Sequence, residues 1–243
     1  MLRKEVAKNI EAKDKTFRLR GHEILRIEAF SDAVFAFAVT LLIVSLEVPK
    51  SFEELMVTMR GFFAFGISFL LLVMIWYDQN VFFRRYGMHD ILTVALNLTL
   101  VFLVLFYVYP LKFLFTLVFS GYIYGDEHSP FIMDAKDSPK LLIIYGVGYV
   151  LIQALFFFMY VHAYKKRKSL ELTLLEVFDT KTSMYAKIVV IGIGLLSVFM
   201  ANALPPNKAG YAGMIYILIG PAFSIFYSYR GRKKRKLMDA LVV

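Results

Sequence analysis

Cysteine is absent from this sequence of 243 residues, and histidine occurs only four times. A chain without cysteine forms no disulfide, presents no thiolate nucleophile and offers no sulfur ligand to a metal. The histidines are scattered along the chain, at positions His22, His89, His128 and His162. We therefore expect no metal site. Since no nucleophile and base converge in the sequence either, we also expect no enzymatic activity and no cofactor.

Charged residues are also scarce, at 19% of the chain, whereas hydrophobic residues make up 59%. The mean hydropathy of +0.62 is too apolar for a domain whose surface stays in water. The net charge of +9 comes from lysines and arginines that lie beside apolar runs. Such positions are typical of an anionic membrane surface, and no pattern of a nucleic-acid groove accompanies them. The composition thus predicts a membrane protein and argues against a nucleic-acid partner.

Six apolar runs have the composition of transmembrane helices. They cover about residues 29–48, 61–77, 91–110, 141–164, 188–204 and 210–229. A further run, residues 113–125, is too short to cross a bilayer, and we interpret it as a bent extension or an interfacial helix after Pro110. Residues 170–179 have the spacing of an amphipathic surface helix. The sequence therefore predicts an all-α, polytopic protein with six transmembrane helices.

The basic residues predict how these spans are oriented. Excess lysine and arginine occurs in four segments: residues 1–25, the turn with Arg84 and Arg85, residues 165–168 and residues 230–243. With six spans these segments fall on one side, and the positive-inside rule makes that side cytoplasmic. Residues 1–25 contain no apolar core, so we do not expect a signal peptide. The chain divides into a cytoplasmic arm (1–25), a transmembrane domain (26–229) and a basic cytoplasmic tail (230–243).

The first span combines charge with an apolar stripe. Arg26 and Asp32 open it, and a charge in a transmembrane helix is costly unless it is paired or functional. At about 100° per residue, Asp32 points nearly opposite to the stripe. The stripe comprises Phe30, Phe37, Leu41, Val44 and Val48, with Ala33 and Val34 at its edges, Thr40 on its flank and Arg26 nearby. Periodicity alone does not decide whether this stripe is a packing seam, a lipid face or part of an ion pathway.

Arg26, followed after three residues by Phe30-Ser31-Asp32, resembles the signature of the transmembrane protein 175 family of potassium channels. Further residues occur in the order that the family shows, namely Trp76, the turn Phe82-Phe83-Arg84-Arg85, Asn97 and Pro110. The likeness covers about the first half of the chain residue by residue. The second half is similar only in its pattern of spans.

This resemblance implies a homotetramer of six-helix subunits in the cell membrane, with the first helix lining the pore and anionic lipids at the cytoplasmic face. It implies a potassium-permeable leak channel with modest K⁺ over Na⁺ selectivity. The residues carried over for an apolar constriction are Phe37, Leu41 and Val44, and the residue carried over for selectivity is Thr40. A structural network is implied for Arg26, Phe30, Ser31 and Asp32, with Trp76 and Asn97 as partners in the second and third spans.

Two positions depart from the family pattern. Phe37 stands where the family usually has isoleucine or leucine, and Gln79 and Asn80 follow Trp76 where members often carry histidine. For Thr40, a hydrogen bond to the carbonyl one turn earlier is an alternative role. Alternatives to a channel are a secondary transporter, which would need polar groups at the membrane midplane and a repeat that is not visible, or a non-conducting scaffold.

Overall fold

The computed structural model describes residues 17–44, 50–120 and 135–242. The long helices are α1 (Arg26–Val44), α2 (Phe52–Tyr86), α3 (Ile91–Val118), α4 (Ser138–Lys165) and α5 (Leu174–Ala203). The short helix α6 (Gly210–Met214) leads through a 3₁₀ turn, Ile215–Leu218, into α7 (Ile219–Val242). No strand occurs in the described part of the chain, which confirms the all-α prediction. Most of the N-terminal arm, the predicted stripe residue Val48 and the last residues of the apolar run 113–125 lie outside the described residues.

Five helical segments in the described ranges are long and apolar enough to cross a membrane. They are Phe52–Tyr86, Ile91–Val118, Ser138–Lys165, Leu174–Ala203 and Pro206–Ala240. Together with the shorter α1, these segments give a protein with five or six membrane-capable helices. About 20 apolar residues in a helix span the hydrocarbon core, and each of these five segments has at least 28 residues.

The helices pack in chain order around a shared apolar core. α1 lies against α2 and α3, α4 bridges α3 and α5, and α5 contacts α6 and α7. Buried side chains of the first four helices form the core: Phe35, Ala38 and Leu42 of α1, Leu72 and Phe82 of α2, Leu100, Val104 and Val108 of α3, and Ile152 and Phe156 of α4. Because α1 inserts one row of side chains into this core, its rotation about its own axis is fixed.

Two predicted element boundaries differ from the structure. The second span is predicted to begin at about residue 61, but α2 begins at Phe52. Glu53 and Glu54 lie in its first turn, where Ser51 accepts a hydrogen bond from the Glu54 amide at 3.1 Å. Acidic residues favour the positive end of the helix dipole. The predicted surface helix and the fifth span are one continuous helix, α5, which begins with a capping box between Thr173 and Glu176. The cap at Thr173 sets the start of α5. The later change from an amphipathic to an apolar pattern does not interrupt the helix.

Pro110 lies within α3, which continues to Val118 instead of breaking at the proline. Transmembrane helices tolerate proline where they pack against neighbouring helices. Tyr145 of α4 donates its hydroxyl to the Pro110 carbonyl, and Tyr107 donates to the Tyr145 carbonyl at 3.0 Å. These contacts support the bent-extension alternative over a separate interfacial helix.

The basic segments meet at one end of the bundle. The Arg20 guanidinium forms two 2.9 Å hydrogen bonds with the buried carboxylate of Glu176, next to the α4–α5 loop. The Arg20 amide donates to the Arg84 carbonyl at the end of α2, at 3.1 Å. Lys234 of α7 pairs with Asp179 at 2.6 Å. The N-terminal segment, the α2–α3 turn, the α4–α5 loop and the C-terminal helix therefore share one end.

Two glycines allow the N-terminal segment to approach this end closely. A Cβ on Gly21 would lie 2.6 Å from the Phe83 carbonyl oxygen, and one on Gly87 would lie 2.9 Å from the Arg20 carbonyl oxygen. Gly87 also has a φ of +56°, which a glycine adopts without strain. Larger residues at these positions would push the segment before α1 away from the bundle.

Candidate functional site

The candidate site is built on α1, whose polar face turns into the bundle. Ser31 is fully buried, and its hydroxyl donates to the Ile27 carbonyl at 2.8 Å. The Trp76 indole N–H of α2 donates to Asp32 Oδ1 at 2.7 Å. The Asn97 amide of α3 donates to Ser31 Oγ at 2.8 Å. The structure thus brings Ser31, Asp32, Trp76 and Asn97 together.

Gln79 is a fifth member of this polar cluster, which the sequence analysis did not assign to it. Its amide nitrogen donates to Asn97 Oδ1 at 2.8 Å, and both residues are buried. Gln79 lies three residues after Trp76, so the two side chains share a face of α2. The available signal was this spacing of three residues from Trp76, although Gln79 follows the predicted span and stands between Asp78 and Asn80. With Gln79 included, hydrogen bonds run from Gln79 through Asn97 and Ser31 to the backbone of α1.

Buried polar groups of this kind hold helices in a defined register. Leaving one partner unsatisfied costs about 1 to 3 kcal/mol, and more where the group is charged. Two hydrogen bonds of the cluster, from Trp76 to Asp32 and from Asn97 to Ser31, depend on the axial position of α1 relative to α2 and α3. The cluster therefore fixes both the height and the rotation of α1.

The opposite face of α1 is exposed in the single chain. Phe37 is 57% exposed and Leu41 is 40% exposed, and Thr40 also lies in the exposed class. The exposed positions recur at helical spacing along the whole of α1: Arg26, Ala29, Phe30, Ala33, Ala36, Phe37, Thr40 and Leu41. We call these eight residues the exposed stripe. It corresponds to the apolar stripe that the helical angle predicts.

Arg26 and Phe30 lie on the exposed stripe and not in the polar cluster. Arg26 forms no hydrogen bond or ion pair with the described residues of its own chain. Val44 ends α1, and its side chain lies outside what the structure describes. Of the residues implied for a structural network, the structure therefore joins four within the subunit and leaves two on its surface.

Thr40 has a local hydrogen bond that bears on its role. Its hydroxyl donates to the Phe37 carbonyl at 2.7 Å. A hydroxyl has one proton and two acceptor lone pairs, so this bond uses the proton and leaves oxygen lone pairs available. The back-bond and an oxygen ligand for a cation are therefore compatible. Within the described ranges no group of three or more His, Asp or Glu side chains is arranged to hold a metal ion.

Comparison with known proteins identifies relatives across the chain. Residues 26–110 match the sequence model of the family described as "Endosomal/lysosomal potassium channel TMEM175". A protein of Marivirga tractuosa named "Potassium channel" is 37% identical over 245 residues, covering 97% of this chain and 99% of that protein. A potassium channel of Streptomyces collinus is 35% identical over 79 residues, which cover 30% of this chain and 38% of the relative.

Two solved structures have the same architecture. A variant of the potassium channel MtTMEM175, crystallised with a nanobody–MBP fusion protein, matches with a TM-score of 0.78 and 36% identity, covering 89% of this chain and 97% of that one. A lysosomal potassium-selective channel TMEM175 homolog from Chamaesiphon minutus matches with a TM-score of 0.53. Its 20% identity, over 86% of this chain and 96% of that one, makes it a likeness of fold alone.

The bundle of long apolar helices defines a multi-pass helical membrane protein. Because the Marivirga relative is 37% identical over nearly the whole of both chains, this chain belongs to the TMEM175 family of potassium channels. The resemblance predicted from the α1 signature is confirmed, and the matched region begins at Arg26. The family consists of ion channels and not of enzymes.

Proposed function

We propose that this chain is one subunit of a potassium-permeable channel whose pore is lined by the exposed stripe of α1 from four copies. The observation that carries the proposal is the division of α1 into two faces. Ser31 and Asp32 find their partners within the subunit, whereas Phe37 and Leu41 have large exposed fractions. An exposed apolar stripe in a membrane can meet lipid or other subunits, and the resemblance carried by α1 supports contact with other subunits around an axis.

The constriction in this proposal is apolar. Phe37 and Leu41 are four residues apart, about 6 Å along the helix axis, so four copies would form two successive rings. Val44 would add a third. A narrow apolar ring cannot replace the hydration shell of an ion, so it blocks by dewetting or conducts a hydrated ion when it widens. Modest K⁺ over Na⁺ selectivity is the expected consequence.

Thr40 is proposed as the polar layer between these rings. With its proton engaged by the Phe37 carbonyl, the hydroxyl oxygen presents lone pairs on the exposed side of α1. Four such oxygens could contact a partly dehydrated cation. The contribution of Thr40 would then be to selectivity, and that of Phe37 and Leu41 to gating.

We assign the basic end of the bundle to the cytoplasm and the protein to the cell membrane, with both termini cytoplasmic. The C-terminal helix α7 supports contact with anionic lipids there. Arg230 and Lys234 are docked on α5, through Thr182 at 2.7 Å and Asp179 at 2.6 Å. The remaining basic residues of α7 are exposed: Arg232, Lys233, Arg235 and Lys236. Each such residue near an anionic surface contributes about 1 kcal/mol to membrane attraction.

The test is ion flux through the purified protein in liposomes, with its mass in detergent measured first. We expect four copies per particle, and K⁺ flux without added ligand that exceeds Na⁺ flux under matched gradients. An intact tetramer without cation flux would make the protein a scaffold. Saturable uptake coupled to a counter-ion would make it a secondary transporter. A different copy number with K⁺ flux would retain the channel and refute the four-fold pore.

A further inference from the structure

Lys112 is the only charged residue in the sequence of α3, a helix otherwise composed of apolar and uncharged polar residues. A lysine in a membrane helix is costly unless its ammonium group has a partner or reaches water. The placement of Lys112, two residues after Pro110, is therefore a feature that the polar cluster at Ser31 and Asp32 does not explain.

The Lys112 ammonium is bonded to the backbone of α1. Its Nζ donates to the Leu42 carbonyl oxygen at 2.6 Å, between residues that are 70 positions apart in the chain. Leu42 is the last residue of α1 whose side chain the structure describes, and that side chain is buried. An ammonium group that donates to a backbone carbonyl has the partner that a charge in a membrane helix requires. Lys112 thus ties this turn of α1 to α3.

The position of this contact relates it to the proposed constriction. Leu41 immediately precedes Leu42, and Thr40 and Phe37 lie in the preceding turn. Ser31, in the polar cluster, is eleven residues before Leu42, or about 16 Å along the helix. The part of α1 that carries Phe37, Thr40 and Leu41 is therefore held between two polar attachments, one at each end.

We propose that Lys112 is a positioning residue for the constriction: by holding the Leu42 carbonyl, it sets how far the outer half of α1 stands from the pore axis. This inference rests on the proposed function, since it requires α1 to line the pore. The polar cluster fixes the inner half of α1, and Lys112 fixes the outer half. Without the ammonium, the outer turns of α1 are restrained by the apolar contacts of the buried Ala38 and Leu42.

The first experiment compares Lys112→Met and Lys112→Arg with the unchanged protein in liposomes. We expect Lys112→Met to increase K⁺ flux and to lower the K⁺ over Na⁺ permeability ratio at least twofold, because the outer turns move more freely. Lys112→Arg keeps a cationic donor and should retain the original ratio. Lys208→Met is the matched control, since it removes the same charge at an exposed lysine in the short 3₁₀ turn Pro206–Lys208 between α5 and α6.

A second measurement tests the hydrogen bond to the Leu42 carbonyl without removing the charge of Lys112. It does not require the Lys112→Met variant to fold. Replacing the Leu42–Ile43 amide by an ester weakens the Leu42 carbonyl as an acceptor and leaves Lys112 in place. The same replacement between Leu41 and Leu42 is the control. We expect the Leu42–Ile43 ester to lower the K⁺ over Na⁺ permeability ratio and the Leu41–Leu42 ester to have the smaller effect. In the Lys112→Met variant, the Leu42–Ile43 ester should cause no further change in this ratio.

The proposal is overturned if the Lys112→Met tetramer has the original flux and permeability ratio, or if the Leu42–Ile43 ester does. If Lys208→Met reproduces the change, the effect is one of charge and the positioning role is refuted. If Lys112→Met does not assemble, the ester result alone decides. Absence of flux in the unchanged protein would instead refute the proposed channel function.

Discussion

The face of α1 that carries Ser31 meets α2 and α3, whereas the face that carries Phe37 is exposed within the described part of its own subunit. Ser31 is completely buried and hydrogen-bonded, while Phe37 is 57% exposed. A polar group thus lies inside the subunit, beside the buried apolar Phe35 and Leu42, and a large apolar group lies on its surface. In a membrane this arrangement is favourable, because the buried polar group has hydrogen-bond partners and an apolar surface is compatible with lipid or with other copies.

The comparison predicts that changes on the two faces have different consequences. Substitutions on the buried face should act on folding and assembly. Substitutions on the exposed stripe should act on conduction with assembly retained. The predictions below follow from this division, in order of decreasing expected effect.

The largest effect is expected for Asp32→Ala. It removes the acceptor of the Trp76 indole N–H, which lies at 2.7 Å in the packed interface between α1 and α2. An unsatisfied buried donor costs about 1 to 3 kcal/mol, so the yield of assembled protein should fall by roughly tenfold. Size-exclusion chromatography and native mass measure this yield. Asp32→Asn retains an oxygen acceptor and should recover part of it.

Asp239→Ala is the control for Asp32→Ala, because Asp239 is an exposed carboxylate on α7. It should leave assembly unchanged. An Asp32→Ala protein with full assembly but altered K⁺ over Na⁺ selectivity would reverse the assignment of the two faces.

The next largest effect is expected for Phe37→Ala and Leu41→Ala. Each removes an apolar group from the exposed stripe, which widens the proposed ring and favours its hydration. We expect several-fold higher K⁺ conductance in planar bilayers, with tetramer yield close to that of the unchanged protein. Ile225→Ala is the control, since Ile225 is an exposed apolar residue of α7, outside the stripe. Unchanged conductance in both variants would show that α1 does not form the constriction.

A smaller effect is expected for Thr40→Val. Valine keeps the shape of threonine and removes the hydroxyl, whose oxygen is proposed to contact the permeating cation. The K⁺ over Na⁺ permeability ratio, measured from reversal potentials in bi-ionic solutions, should fall while conductance is largely retained. Thr40→Ser keeps the hydroxyl and should preserve the ratio. An unchanged reversal potential for Thr40→Val would limit Thr40 to its bond with the Phe37 carbonyl.

The smallest effect is expected at Asp90, which precedes α3 at the basic end of the bundle. Its carboxylate lies 2.7 Å from His162 Nε2 and 3.2 Å from Lys166 Nζ, and it accepts a hydrogen bond from Thr93 at 2.8 Å. Burial raises the pKa of the Asp90 carboxyl, but the hydrogen bonds from Thr93, His162 and Lys166 outweigh burial and hold this pKa well below its ordinary value.

A depressed pKa in the folded state means that the ionised carboxylate stabilises the fold above its ordinary pKa and that this stabilisation is lost as the pH falls towards the folded value. Asp90→Asn should therefore lower the melting temperature at neutral pH. After allowance for solvent screening, the loss is about 0.5 to 1.5 kcal/mol. The difference from the unchanged protein should shrink below about pH 4, where an ordinary carboxyl is protonated. If the difference in melting temperature grew on acidification, the stabilising role of the ionised Asp90 carboxylate would be refuted. We expect the K⁺ conductance of Asp90→Asn to equal that of the unchanged protein.

The outline of the fold could be predicted from sequence because apolar runs and basic clusters are local properties. Boundaries were less predictable, since the start of α2 at Phe52 and of α5 at Leu174 depends on the caps at Ser51 and Thr173 and not on hydropathy. The family resemblance implied Trp76 and Asn97 as partners for Ser31 and Asp32, and the structure places both at hydrogen-bond distance. It implied no such role for Gln79, where members of the family often carry histidine.

By itself the sequence determined that α1 has two chemically different faces, because the helical angle of about 100° per residue places Asp32 opposite Phe37 whatever surrounds them. Only the tertiary structure decided which groups of other helices form hydrogen bonds and ion pairs with these residues. Lys112 bonds a backbone carbonyl, and a carbonyl acceptor has no side-chain signature in a sequence. The Arg20–Glu176 pair joins residues 156 positions apart, and only the packed bundle brings them together. Such contacts form only when helices that are far apart in the sequence pack together, and no local sequence pattern predicts which residues then meet.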